Sequence, residues 1–453
     1  MDFNYFVNGL TGFIWGLLSE WIVFTCIYLT LGLDFLSFRI LPYAFKIVWG
    51  SLRQTFSPDE GQVGPLLNLM ATSGAMFSIG NFTFLAGAIL LAGPGVILWS
   101  CLSNFVGLAI HFTEAFLCAH YRIKNSRQEW VGGPMYYLLK KMPVGLKWLG
   151  GFFAVFMMLT MFAIGSLAQT HSTSHALNLV AHVPLAFSAV VIAIITSIVI
   201  AGGLLRISRF CLLLIPWSIL LFILICLVYI GLHIDQLPAA FSLIYEDALK
   251  PQSAVGGVSS LLMAEGIRLG VFVNGAGLGR SVIIQSSASP GNPFYQACLS
   301  LVVSFIELLA VPLMAVVIVM SGSYLVSSDP VSIIGNSFDW GLQGSSWLFF
   351  VLAIPFALTT IVTYSFIGER CFEFIFHAKY RSVYRFLWIG SIVLSVFIPA
   401  SSIAQLIALV VTLACLPNLL GLIILSPFFF KTVHASRQDF FRLNSEPSLP
   451  ELS

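Results

Sequence analysis

Two long apolar segments, 66–90 and 255–288, are each interrupted near the centre by small and polar residues, which leaves the chain few possible folds. The first is broken by Thr72, Ser73, Gly74, Ser78, Gly80 and Asn81, the second across Phe272–Gly279. A helix that crosses a bilayer satisfies its own backbone. Unwound backbone at that depth persists only where protein buries it or it lines a cavity. Two interruptions at matching positions in the two halves of a chain point to the binding site of a secondary transporter.

The surrounding sequence supplies the membrane. Of 453 residues 58% are hydrophobic and 9% charged, against about 25% charged in a soluble domain. The chain is expected to be an all-α polytopic membrane protein whose partner is the lipid bilayer. A net charge of +2 gives no field for nucleic acid. The eight cysteines form no CxxC pair and mostly fall inside apolar runs, so they read as small buried side chains. A span needs about 20 mostly apolar residues. Eleven candidates satisfy this, near 12–33, 66–90, 95–119, 148–170, 185–203, 210–231, 255–288, 294–321, 345–367, 386–401 and 405–429. Segment 40–55 mixes Arg39, Lys46 and Arg53 with Leu41, Phe45 and Trp49 and reads as a helix lying in the interface. The start, Met1-Asp2-Phe3-Asn4, has no basic region, so the first apolar run reads as a retained span.

Charge sets an expected orientation. With the N-terminus outside and alternating loops, 18 of the 21 Lys and Arg residues fall inside, while Asp235, Glu246, Asp247, Asp329 and Asp339 fall outside. The C-terminus is then cytoplasmic and the membrane is a bacterial cell (inner) membrane. The expected division is an extra helix at 1–36, an interfacial segment at 37–65, a five-helix repeat at 66–231, an outer loop at 232–254, a second repeat at 255–429 and a cytoplasmic tail at 430–453. Each repeat opens on a broken helix, and an odd number of spans per repeat inverts the second relative to the first.

The motifs resemble a known family. Gly80-Asn81, Gly93-Pro94-Gly95, Glu114, Gly132-Gly133-Pro134-Met135-Tyr136-Tyr137, the run from Gly266 to Gly279, Thr359-Thr360, Gly368-Glu369-Arg370 and Pro417-Asn418 are similar, in consistent order, to the alanine-or-glycine:cation symporter family of prokaryotes. The resemblance implies a leucine-transporter-like inverted-repeat fold, preceded here by one extra helix. It implies sodium-driven uptake of alanine, D-alanine or glycine, with no further cofactor.

A zwitterion needs amides for its carboxylate, acceptors for its ammonium and an apolar wall for its side chain. Asn81 and the glycine-rich backbone at Gly80 supply the first, since unpaired amides at a half-helix N-terminus favour an anion. The resemblance adds Gln169 for the second, Phe272 and Tyr364 for the wall, and Asn274 and Gly277 at the second break. It implies a cation on first-break carbonyls, Ala75 among them, with Thr359 and Thr360. Several positions depart from the family pattern: Ser78-Ile79 precedes Gly80, Gly275 replaces a glutamate, Arg280 a small polar residue, Glu307 an aspartate and Tyr364 a tryptophan. Fewer oxygen ligands leave the proton open beside Na+ as coupling ion. Glu265 and Arg268, at i, i+3, suit a charge pair or gate, and Glu307 suits a partner for Arg268 or Arg280 or a proton carrier.

An enzyme is not expected. His171 and His175 share i, i+4 spacing but are read as lying beside an outer loop without a carboxylate, and no phosphate-binding loop is present. The alternatives are a proton-coupled transporter of another small amino acid and a transport fold that has lost transport and serves as a sensor. No obligate protein partner is inferred.

Overall fold

The computed structural model describes residues 3–52, 62–250, 261–288 and 291–445. The start of the 255–288 segment, the Phe272 side chain and the end of the 430–453 tail lie outside what is described. Within the described residues the chain is a bundle of helices with one two-residue antiparallel ladder, Ile123↔Val131 and Lys124↔Trp130. Seven helices are long and apolar enough to cross a membrane, and Leu18–Gly32 and Leu185–Ala201 are shorter apolar helices.

Burial separates lipid-facing helices from central ones. In Gly203–Leu232 only 33% of the apolar stretch is buried, and Leu213, Trp217, Leu220 and Leu224 lie exposed on it. In Ser346–Phe376, 83% is buried. An apolar helix bare on one side is stable in hydrocarbon, whereas the buried one can carry Thr359, Thr360, Thr363 and Tyr364 inside the protein. Proline and polar caps set several starts. Pro293 follows Asn292, whose Oδ1 accepts from the Phe294 and Tyr295 amides at 2.9 and 3.3 Å. Asp329 does the same for Pro330–Gly341, accepting from Ser332 N at 2.9 Å.

Both expected interruptions are present. Pro65–Met76 and Ile79–Ala92 are separated by extended Phe77 and Ser78. Leu261–Asn274 and Arg280–Gln285 are separated by a turn in which Gly275, Gly277 and Gly279 hold φ of +70°, +84° and +65°. Three left-handed positions in five residues are affordable only to glycine, which explains the spacing of this motif.

Four expectations on boundaries change. The 148–170 span continues as Leu149–Thr160, a π-helical turn Met161–Ala168, and Gln169–Ala181. The polar run Gln169–Ser174 reads as a loop in sequence, yet Thr170, Thr173 and Ser174 are buried against neighbouring helices. The 345–367 span extends to Phe376 because Glu369, Arg370 and Glu373 at its end are buried and paired. The 232–254 segment, expected as an outer loop, is not simply a loop. It holds the helix Leu237–Ala248, whose Asp247 Oδ2 accepts from Gly95 N at 2.8 Å. The segment set apart as a tail from residue 430 continues the last helix, Ala400–Ser445, since no glycine or proline interrupts residues 430–445. The segment read as interfacial contains the helix Leu41–Ser51, burying Ala44, Val48 and Ser51 and exposing Trp49.

Candidate functional site

The first break leaves carbonyls at the end of Pro65–Met76 without helical partners. Thr360, on the central Ser346–Phe376 helix, answers two of them: its hydroxyl donates toward Gly74 O at 3.2 Å and Phe77 O at 3.1 Å. The approach is close because residue 74 is glycine; a Cβ there would lie 2.9 Å from Cys211 Sγ and 3.4 Å from Thr359 Cβ. Thr359 and Thr363 instead bond within their own helix, to Pro355 O at 2.8 Å and Thr359 O at 2.7 Å. Ala75 is buried in the last turn before the break. Of the expected cation ligands, the Thr360 hydroxyl meets the break, while Thr359 packs beside Gly74 with its hydroxyl on its own helix.

Asn81 bridges the two half-helices. Its Nδ2 donates to Met76 O at 2.8 Å and to Glu307 Oε1 at 2.7 Å, and its Oδ1 accepts from Ser78 Oγ at 3.3 Å. Glu307 therefore meets an amide donor; it forms no ion pair with Arg268 or Arg280 among the described residues. Gln169 Nε2 donates to Ser78 Oγ at 3.3 Å, and a Cβ on Gly80 would lie 2.7 Å from that nitrogen. Glycine at 80 thus keeps the space between the Gln169 amide and the first turn of Ile79–Ala92. Ser78 joins Asn81 and Gln169 but carries no sequence signal beyond its place in the break.

At the second break Asn274 is buried, and Gly277 O accepts from Asn418 Nδ2 at 2.7 Å. The same Nδ2 donates to Glu114 Oε1 at 2.6 Å, and Tyr137 Oη donates to Asn418 Oδ1. The Gly-Gly-Pro-Met-Tyr-Tyr and Pro-Asn motifs therefore meet on the glycine turn. Tyr364 is fully buried; Gly165 in the π-helical turn admits it, since a Cβ there would fall 2.5 Å from Tyr364 Cβ. Arg280 Nη1 donates to Tyr364 Oη at 2.6 Å. π-Helical turns recur at functional sites, and this one lies just before Gln169.

A cavity of about 400 Å³ reaches from the end of the bundle bearing Asp329 down to Gly80, a volume within the usual range of ligand pockets. Its walls include Thr83, Phe84, Ala168, His171, His175 and the pair Glu265–Arg268, whose Nη1 and Oε1 are 3.0 Å apart. The two histidines thus sit on a helix and share a cavity with Glu265 and Asp329, where the sequence reading placed them beside a loop without a carboxylate. At the other end of the first broken helix lies a lattice of ion pairs. Glu129, in the loop after Val96–His120, accepts from Arg370 at 2.9 Å and from Arg381 Nη1 at 3.2 Å. Glu373 accepts from the same two arginines at 2.7 and 2.9 Å, and Arg385 Nε lies 2.5 Å from Glu369. Gln62 ties the broken helices to this lattice, donating from its amide to Ser287 O at 2.8 Å and accepting from Arg370 Nη2 at 3.4 Å. Burial pushes the Glu129 carboxyl up, but hydrogen bonds and charge from Arg381 and Arg370 win and hold it at about 2.

The profile of the sodium:alanine symporter family matches residues 1–447. The chain is 31% identical over 437 residues to the sodium/alanine symporter AgcS of Methanococcus maripaludis, covering 94% of this chain and 95% of that protein. It is 30% identical over 459 residues to an uncharacterized transporter of Haemophilus influenzae, covering 98% and 97%. Among solved structures, MhsT in complex with L-phenylalanine aligns with a TM-score of 0.55 and 16% identity over 83% of this chain and 99% of that one. That likeness is one of fold, the leucine-transporter fold.

Proposed function

The chain belongs to the sodium:alanine symporter family, and from that premise we propose that it imports alanine, D-alanine or glycine by sodium symport with alternating access. The observation that carries the reading is Thr360 spanning the Gly74 and Phe77 carbonyls at the first break, one short extended link away from Gly80 and Gln169. The end of Pro65–Met76 presents carbonyls and favours a cation; the start of Ile79–Ala92 presents amides and favours a carboxylate. Sodium and substrate then bind to opposite faces of one interruption, so each improves the field seen by the other. That reciprocity is what coupling requires.

In the same proposal the cavity above Gly80 is the outer vestibule and the Glu129–Arg370–Arg381 lattice closes the cytoplasmic side. The chain has eleven spans, one followed by two inverted repeats of five, with the N-terminus outside and the C-terminus inside a bacterial inner membrane. A second reading, proton coupling, is favoured by one observation: Glu307 is buried on Asn81 at the first break with one carboxyl oxygen unpartnered.

The test is uptake of labelled L-alanine, D-alanine and glycine into proteoliposomes under a sodium gradient, a proton gradient or neither. Accumulation that needs inward sodium is the expected result. Accumulation on a proton gradient alone replaces sodium with the second reading. No accumulation of any of the three overturns the substrate assignment.

A further inference from the structure

The central helix places two hydroxyls one turn apart, each aimed at a different break. Thr360 meets the carbonyls of the first, and Tyr364, at i+4, meets the second. The two stations differ in what they hold. At the second, the Arg280 guanidinium lies between the break and the hydroxyl: Nη2 donates to Val273 O at 2.6 Å and Nη1 to Tyr364 Oη at 2.6 Å. Val273 belongs to the last turn of Leu261–Asn274, where free carbonyls carry the negative end of the helix dipole. Arg280 begins the following half-helix, whose own N-terminus repels a cation, and its side chain reaches back across the glycine turn to the end that attracts one.

We infer that Arg280 is a cation built into the chain at the second break, filling a station that would otherwise take a mobile ion. The backbone accommodates it specifically. Gly275 has φ +70°, and a Cβ there would lie 2.5 Å from Arg280 Nε and 2.9 Å from Cζ, so the turn is open where the guanidinium passes. Arg280 is buried, as are Glu114 and Glu307, which both feel its charge without forming an ion pair with it. His111, from the Val96–His120 helix, Tyr364 and Cys415 are further titratable groups in that field. A fixed positive charge among buried carboxylates lowers the cost of keeping them in a low-dielectric interior, a task that at the first break falls to whatever binds beside Thr360. One mobile cation per substrate follows. This stoichiometry rests on the symport reading; the built-in cation itself does not.

The test uses thermal unfolding of the purified full-length protein, with Arg280→Ala opening the station and Arg280→Lys keeping the charge. Guanidinium at about 10 mM is far below denaturing concentration, and urea has a similar planar shape without the charge. Guanidinium is expected to raise the Arg280→Ala midpoint by about 2 °C, with urea and the wild type showing no rise. Equal rescue by urea, or rescue by neither, overturns the inference. If Arg280→Ala does not fold, Arg280→Lys decides: a folded lysine variant supports a need for charge, and its failure overturns it. In proteoliposomes, Arg280→Lys is expected to keep the wild-type order of sodium activation. An uptake failure in the wild type concerns the symport reading and leaves the thermal result standing.

Discussion

Replacing Glu129 by glutamine removes a charge and retains the shape, which isolates the electrostatic part of the lattice opposite the cavity. Glu129 serves Arg370 and Arg381 together, and both guanidiniums are largely buried while Glu129 is 29% exposed. An exposed pair contributes about 0–1 kcal/mol and breaking a buried one costs about 3–5 kcal/mol. The arginines keep Glu373 at 2.7 and 2.9 Å, so neither is left alone. With exposure and these remaining partners discounting the buried limit, the expected loss is about 2 kcal/mol, roughly 30-fold in the opening equilibrium. The opening element is the turn-and-ladder segment 122–131, where Asn125 N donates to Glu129 O at 2.9 Å and Asn125 Nδ2 reaches Glu373 at 2.7 Å. Amide hydrogen exchange reads such local opening directly. Exchange across residues 123–131 should accelerate by about 30-fold in Glu129→Gln, with the amides of Ser346–Phe376 above Gly368 unchanged. Acceleration below about threefold would show that the remaining Glu373 contacts hold the segment alone and that the lattice does not depend on Glu129.

The same carboxylate sets a pH dependence: held at about 2 against an ordinary 4.5, it stabilises the closed segment above pH 4.5 and ceases to as pH falls toward 2. Exchange in 123–131, corrected for its intrinsic pH dependence, should therefore accelerate in acid in the wild type, and the Glu129→Gln variant should lack that phase. Thr360→Val removes the hydroxyl shared by two buried carbonyls and should raise the sodium needed for half-maximal uptake by about tenfold or more, from about 1–3 kcal/mol for unsatisfied polar groups. Thr359→Val, whose hydroxyl bonds its own helix, should change it by less than about threefold; equal effects would place the cation elsewhere. Gly277→Ala imposes φ +84° on a residue with a side chain and brings a Cβ to 3.0 Å of Leu419, so it should lower stability by about 1–3 kcal/mol, measured as a fall in the unfolding midpoint.

How far the sequence predicts this structure depends on the range of each interaction. The two interruptions are legible because their causes are local: glycines at 275, 277 and 279 supply the left-handed turn within five residues, and Ser78 ends the extended link beside Gly80-Asn81. The π-helical turn at Met161–Ala168 is not legible. Its residues are as apolar as those before it, and what admits it is Tyr364 packing on Gly165, two hundred residues away. The run Gln169–Ala181 misleads for a related reason. Its hydroxyls look solvated, but the bundle buries Thr170, Thr173 and Ser174 and turns His171 and His175 into a cavity. Basic residues 370, 381 and 385 report orientation by their number, while their pairing with Glu129, Glu369 and Glu373 spans up to 252 positions and exists only in three dimensions.

That division bears on how the two breaks work together. Most polar groups at the first break that the sequence marks for ligands are engaged with the protein itself: Asn81 with Met76 and Glu307, Gln169 Nε2 with Ser78, and Thr360 with two carbonyls, while Gln169 Oε1 is buried without a partner. Ligands arriving there must exchange for these contacts, so their binding energy goes partly into rearranging the link Phe77–Ser78. Asn81 carries that rearrangement to Glu307 on Pro293–Ser321, and Thr360 carries it to the central helix. The central helix ends in Glu369, Arg370 and Glu373, the lattice that closes the opposite face. A single helix thus touches both breaks and the ion-pair lattice. It is the element through which occupancy above and closure below can bias one another.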